Sequence, residues 1–287
     1  MINILVTGSN GQLGMNFQDL ANEFSEGYSF QFKSSKELDI SNFNSLSSYF
    51  DTNTIDYCIN CAAYTNVDKA EDQELKANLI NSEGAKFLAQ VCEKVGATLI
   101  HISTDFVFDG LKSIPYLEDD SPNPQNKYAL SKYNGELAIK KYSKKHFIIR
   151  TSWLYSEFGN NFMKTMISIS NSKKKIHVVS DQIGTPTYAR DLAETVLRII
   201  KNNLTNYGLY HYSNEGVASW YDFAQSIFEE YKCDIVLFPI NSEGYPTKAK
   251  RPYFSVLDKS KIKEAFGIEI PHWRTSLKKA VRNYINH

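Results

Sequence analysis

The stretch VTGSNGQLG, residues 6–14, decides the fold. It ends an apolar run, INILVTG (2–8), whose β-branched residues and closing glycine mark a strand, and it opens a helical pattern over about residues 11–23. Gly8, Gly11 and Gly14 fall in a G-x-x-G-x-x-G spacing. Glycine allows the tight turn and the close backbone approach of a pyrophosphate, whose charge then meets free amides at the helix N-terminus. A glycine triad alone is a weak signal, but here it stands at a strand-to-helix junction, the context a dinucleotide site requires.

Outward from that turn, apolar runs and helical patterns alternate. Strands are expected at YSFQF (28–32), DYCINCA (56–62), ATLIHIST (97–104) and HFIIRTSW (146–153). Helices are expected over 41–50, over 74–96 with Gly96 as the stop, and over 127–143. Strands separated by helices of this length predict an α/β fold, a Rossmann-like doubly wound parallel sheet covered on both sides. Beyond about residue 155 the rhythm loosens and prolines gather at 239, 246, 252 and 271. The expectation is a dinucleotide-binding domain over 1–155 and a smaller C-terminal α/β substrate-binding region over 156–287 that walls a cleft, with elements free to cross between the two.

Composition narrows the function classes. Thirty-two basic and thirty-two acidic residues cancel, so no field gathers nucleic acid. Clusters such as KKYSKKH (140–146) read as solvated faces. No apolar run approaches the roughly 20 residues needed to span a bilayer, and the start MINILVTGSNG reads as strand, not as a signal peptide, so a cytoplasmic enzyme is expected. Cys58 and Cys61 form C-x-x-C, but no second ligand pair follows at metal spacing, and they read as buried reduced thiols.

Two positions in the helix at 127–143 carry chemistry. Tyr128 and Lys132 stand four apart and share a face, where an ammonium would favour the phenolate and lower a pKa that starts near 10. Such a tyrosine is a usable proton donor, and the lysine could hold a ribose hydroxyl. Thr104 closes an apolar strand at its C-terminal end, where ligands bind in open α/β sheets; Ser103 points to the opposite face, so only one of the two can serve. At the end of the second strand Phe32-Lys33-Ser34-Ser35 offers a cation and two hydroxyls where NAD sites carry an acid, which suits NADPH, with NADH left open as an alternative. Asp39-Ile40 reads on pattern alone as a turn before a helix.

TGxxGxxG, NCAAYT, STDFVFDG, YALSK, RTSWLY and DQIGTPT, in that order over nearly the whole chain, resemble the extended short-chain dehydrogenases/reductases, most closely the dTDP-4-dehydrorhamnose reductase branch. The resemblance implies hydride transfer from NADPH to the C4 keto group of a small-molecule nucleotide sugar, dTDP-4-dehydro-L-rhamnose, in activated rhamnose synthesis for polysaccharide. It implies Tyr128 as proton donor, Lys132 as ribose partner and Thr104 as the hydroxyl on the keto oxygen. It places Gly8, Asn10, Gly11, Gln12 and Leu13 at the diphosphate, Asp39 and Ile40 at the adenine, and Ala62, Ala63, Tyr64 and Thr65 along the cofactor. Asp105, Trp153 and Arg251 are implied for the substrate, with Asp181 and Gln182 near its diphosphate.

Two departures stand out. Phe106 occupies a position where family members often have Tyr, and Met15-Asn16-Phe17 lacks the carboxylate that bridges some members through a metal, so no metal is expected and a homodimer, if formed, would not be metal-bridged. A 4,6-dehydratase needs a second carboxylate after Asp105, where Phe106 stands. A 4-epimerase uses the same Tyr and Lys, but DQIGTPT and RTSW speak for the reductase. The remaining alternative is a non-catalytic, NADP-binding regulatory subunit on the same scaffold.

Overall fold

In a computed structural model, which describes residues 1–24 and 26–286, the N-terminal half folds as β1 (Ile2–Thr7), α1 (Gln12–Ala21), β2 (Tyr28–Lys33), α2 (Phe43–Thr52), β3 (Tyr57–Asn60), α3 (Val67–Ala70), α4 (Glu74–Asn78), α5 (Gly84–Val95), β4 (Thr98–Thr104), α6 (Lys127–Tyr142) and β5 (His146–Thr151). The rest contributes β6 (Leu154–Tyr155), α7 (Phe162–Ser170), β7 (Lys175–Val179), β8 (Ile183–Gly184), β9 (Thr187–Tyr188), α8 (Ala189–Lys201), β10 (Gly208–His211), β11 (Ala218–Ser219), α9 (Trp220–Tyr231), β12 (Val236–Ile240), α10 (Ser260–Phe266) and α11 (Trp273–Asn286). The helical pattern expected over 74–96 is interrupted by a π-helical turn at Leu79–Glu83, and α10 was not foreseen.

Six parallel strands form the main sheet in the order β10-β5-β4-β3-β1-β2. The strand order reverses between β1 and β3, so the connections that leave these two paired strands run to opposite faces of the sheet and leave a crevice above their C-terminal ends, the place where doubly wound sheets take ligands. One apolar layer, with Phe17, Ile59, Ile149, Val196 and Tyr210, covers one face; another, with Leu46, Cys58, Leu88, Cys92 and Ile148, covers the other. Cys58 lies in the second layer while Cys61 packs against the first, as strand alternation requires, and all four cysteines are free.

The second half is interwoven with the first. β10 pairs with β5 as a sixth main-sheet strand, and α8 packs on the first apolar layer beside α1. A third core, with Tyr155, Tyr188, Phe223, Ile227, Trp273 and Leu277, joins α7, α9 and α11. No helix among the described residues is long and apolar enough to cross a membrane, and they contain no cluster of three or more His, Cys, Asp or Glu arranged to hold a metal.

Candidate active site

The turn after β1 is held by close backbone approach. Gly8 sits at φ +67°, and a Cβ there would lie 2.5 Å from the Ala62 amide nitrogen; one on Gly14 would lie 2.6 Å from the Gly8 carbonyl. Larger residues would force β1 and β3 apart or lift α1 from the turn. Gly11 caps α1 without any side-chain hydrogen bond, and the first turn carries no acid. The leading amides are thus left for an anion, and this cradle fits a dinucleotide's diphosphate.

A cleft of about 670 Å³ opens above the β1/β3 crevice. The glycine loop contributes Asn10, Gly11, Gln12 and Leu13; Ala63 and Thr65 follow β3; Thr104 and Asp105 follow β4; Tyr128 and Lys132 come from α6, and Trp153 and Arg251 from farther along the chain. Folding therefore gathers residues up to 241 positions apart, from Asn10 to Arg251 (251 − 10), around one space.

Tyr128 is half-buried, its ring meeting that of Phe106 edge-on at 6.0 Å, and its phenol has the Thr104 hydroxyl as a neighbour. Ser103 instead donates to Glu136 at 2.6 Å, which leaves Thr104 as the hydroxyl facing the phenol. One expectation is corrected: burial, reinforced by the neighbouring Asp105, pushes the Tyr128 phenol up to about 12 instead of lowering it. The lysine does not offset that burial, because its own polar contacts lie elsewhere. The Lys132 ammonium nitrogen lies 2.7 Å from the Ile102 carbonyl and 3.2 Å from His101, and burial takes its own pKa down to about 8.

Asp105 is 2 % exposed, its Oδ1 accepts from Thr104 at 3.2 Å, and its Oδ2 is buried without a partner. Burial raises its carboxyl from 3.8 to about 7. A raised carboxyl is bound to a proton more readily in the folded than in the unfolded chain, so its contribution to stability is full below about pH 4 and lost as pH rises through about 7. Asp105→Asn is expected to raise the melting temperature of the cofactor-free protein near pH 8 and to lose that advantage near pH 4, with about 4 kcal/mol as the ceiling for the difference. Equal differences at the two ends of a pH series of thermal melts would show that charge burial is not the cause.

Trp153 adopts φ +44°, a left-handed conformation that costs a non-glycine residue about 1–3 kcal/mol and recurs at ligand clamps. Its indole stacks on Trp220 with centroids 3.6 Å apart and planes 8° from parallel. Gly184, in DQIGTPT, makes this possible: a Cβ there would lie 2.7 Å from the Trp153 ring. Gly184→Ala is expected to displace the indole and raise KM about tenfold with kcat less affected, since a methylene-scale misfit in a pocket costs about 1–3 kcal/mol. An unchanged KM would show that the ring takes no part in holding substrate.

Trp220, absent from the sequence expectations, walls both this cleft and an adjoining pocket of about 460 Å³ lined by Phe162, Gln182, Tyr245 and Thr247 among others. Arg251 also borders both; its Nη2 pairs with Asp68 at 2.8 Å and its Nε is buried without a partner. Aromatic character and an Arg-Pro step were visible in the sequence, but nothing local singles out one of three tryptophans.

Other expected residues lie elsewhere. Ile40 is buried in the second apolar layer against Gly84, Asp39 accepts from the Ser41 amide and hydroxyl at 2.9 and 2.7 Å, and neither lines this cleft. Gly8, Ala62 and Tyr64 support the cleft from behind. The Ala62 amide donates to Asn60, and the Tyr64 amide to Asn81, whose carbonyl approaches Gly135 of α6. Asp181 braces a loop by accepting from Ser242 at 2.7 Å, while Gln182 faces the adjoining pocket. At the end of β2 the Ser34 amide and hydroxyl both donate to Glu37, an acid the sequence reading passed over, and Lys33 lies over the Tyr49 ring.

The family model described as RmlD substrate binding domain matches residues 2–286. A spore coat polysaccharide biosynthesis protein, SpsK, of Bacillus subtilis is 41% identical over 97% of this chain and 96% of its own. A dTDP-4-dehydrorhamnose reductase of Aggregatibacter actinomycetemcomitans is 40% identical over 97% of this chain and 98% of its own. The crystal structure of a dTDP-4-dehydrorhamnose reductase from Bacillus anthracis in complex with NADP superposes with a TM-score of 0.95 at 38% identity, covering 99% of this chain and 100% of that one.

Proposed function

The chain belongs to the dTDP-4-dehydrorhamnose reductase (RmlD) family of extended short-chain dehydrogenases/reductases, and on that premise we propose that it reduces the C4 keto group of dTDP-4-dehydro-L-rhamnose with NADPH, giving dTDP-L-rhamnose. The observation that carries the reading is the convergence of Tyr128, Thr104 and Lys132 with the glycine loop on one cleft. A regulatory subunit that only bound a cofactor would have no use for a phenol and a threonine hydroxyl set side by side on that cleft. The complex of the Bacillus anthracis relative with NADP supports the choice of cofactor.

The bound nicotinamide supplies the hydride; everything else falls to the chain. Gly11, Gln12 and Leu13 would hold the cofactor's diphosphate at the start of α1, and Ala63 and Thr65 line the cleft between there and Tyr128 and Lys132. Thr104 holds the substrate's keto oxygen by a hydrogen bond. Tyr128, protonated at neutral pH because its pKa is high, delivers its proton to that oxygen as charge develops there. Asp105, with an unpartnered oxygen, takes a sugar hydroxyl. Trp153 presents an apolar face to the ring, and Arg251 meets the substrate diphosphate with a guanidinium at the mouth of the adjoining pocket, where the nucleoside lies.

The test is loss of reduced-nicotinamide absorbance with dTDP-4-dehydro-L-rhamnose, run in parallel with NADPH and NADH and with chromatographic identification of the product. Turnover with formation of dTDP-L-rhamnose, faster with NADPH, is the expected result. Tight NADPH binding without turnover on any keto sugar nucleotide would favour the regulatory subunit. Preference for NADH would assign Glu37 the ribose-binding part that Lys33 and the serines were expected to exclude.

A further inference from the structure

Behind Lys132 runs a buried chain of polar groups that the mechanism above does not use. It starts at the end of β1 and β3 and ends at the lysine: the Thr7 hydroxyl and the Ala62 amide both donate to Asn60 Oδ1, at 2.8 and 3.1 Å; Asn60 Nδ2 lies 2.9 Å from His101 Nδ1; and His101 Nε2 lies 3.2 Å from Lys132 Nζ. Asn60, His101 and Lys132 are each no more than 2 % exposed.

The direction of these bonds follows from one fixed point. A backbone amide can only donate, so the Ala62 N–H forces the oxygen of Asn60 toward itself and turns the NH₂ group toward His101. His101 Nδ1 must then accept, and a neutral imidazole with a bare Nδ1 carries its hydrogen on Nε2. Burial, followed by the nearby Lys132 charge, holds His101 well below its ordinary pKa, so the ring is neutral. Its Nε2–H therefore points at Nζ. An ammonium has no lone pair to receive it, whereas a neutral amine accepts it, donates one hydrogen to the Ile102 carbonyl at 2.7 Å and keeps the other for the cleft. The opposite tautomer only moves the conflict of two donors to the Asn60 end.

We propose that His101 is a positioning residue that sets the proton inventory of Lys132: its Nε2–H, oriented through Asn60, stabilises the neutral amine, so the lysine exchanges its proton within the working pH range instead of standing permanently charged.

Burial itself brings Lys132 down to about 8, while the Glu136 carboxylate on its own helix and the Cys61 thiol after β3 act in the opposite direction. Glu136 is committed to Arg150 of β5 at 2.7 Å. Asp105 acts on Tyr128, Asp68 of α3 pairs with Arg251, Glu74 of α4 pairs with Lys127, and Glu83 pairs with Lys86 of α5.

The inference rests on the cleft being an NADPH site, and the experiment separates the two. NADPH affinity is measured by tryptophan-to-nicotinamide energy transfer from about pH 6.5 to about pH 9.5 in the unaltered protein, His101→Asn and His101→Gln, with thermal melts of each. His101→Asn keeps an acceptor for Asn60 and removes the donor facing Nζ; His101→Gln offers Nζ an oxygen instead. The unaltered protein is expected to bind NADPH progressively more weakly above a midpoint near 8. Both variants should move that midpoint upward by about one pH unit, a tenfold change in the acid constant, and His101→Gln by more. Affinity that is tight but flat with pH in the unaltered protein, or a midpoint unmoved in either folded variant, would overturn the proposal. Absence of binding at every pH would instead overturn the reading of the cleft. A merely structural histidine would change the melting temperature and leave the midpoint in place.

Discussion

Tyr128→Phe is expected to lower kcat by about 10² to 10⁴, the usual range for removing a positioned general acid. NADPH affinity should stay within about twofold, because the change removes one oxygen and keeps the ring that packs edge-on against Phe106. The loss should fall on the chemical step: Thr104 still holds the keto oxygen, but no proton arrives as charge builds there. Single-turnover oxidation of NADPH measures that step directly. Near-normal single-turnover rates would remove Tyr128 from the chemistry and pass the part of acid to Asp105, whose carboxyl, raised to about 7, is the other proton source within the site.

Glu136→Leu is expected to destabilise the fold by about 3–5 kcal/mol, the largest effect on stability foreseen for any single change. Glu136 is fully buried on the inner face of α6 and accepts from Ser103 at 2.6 Å and from Arg150 at 2.9 and 2.7 Å, so its loss strands a guanidinium that is itself 1 % exposed. Arg150 would keep only the face of Phe108, 5.0 Å away, and a long contact to His211 at 3.5 Å. Pairing the change with Arg150→Met should recover much of the loss, since a buried ion pair is often replaceable by apolar groups of similar volume. Urea unfolding of both variants decides it; equal destabilisation in the single and double variants would mean that packing, not the stranded charge, carries the cost.

These two expectations differ in how they were reached. Tyr128 was legible from its spacing to Lys132 and its place after the strand that ends at Thr104. Glu136 was not, because an acid in the middle of a helix rich in lysines looks like a surface residue until β5 brings Arg150 beneath it. Trp220, Gly184 and Asp68 were hidden for the same reason: each acts on a partner far away in sequence, Trp153 for the first two and Arg251 for the third.

The order of strands and helices, the glycine cradle and the short motifs at strand ends were determined by the sequence alone, since turn chemistry and hydrophobic period are local properties that a few neighbouring residues fix. Only the tertiary structure decided that β10 joins the main sheet and α8 covers α1. It also turned Lys132 toward His101 instead of leaving it to act on Tyr128, and made burial, not charge, the dominant influence on the phenol. Protonation and hydrogen-bond direction depend on how deeply a group is removed from water and on which partners arrive from other strands, quantities that no spacing along the chain encodes.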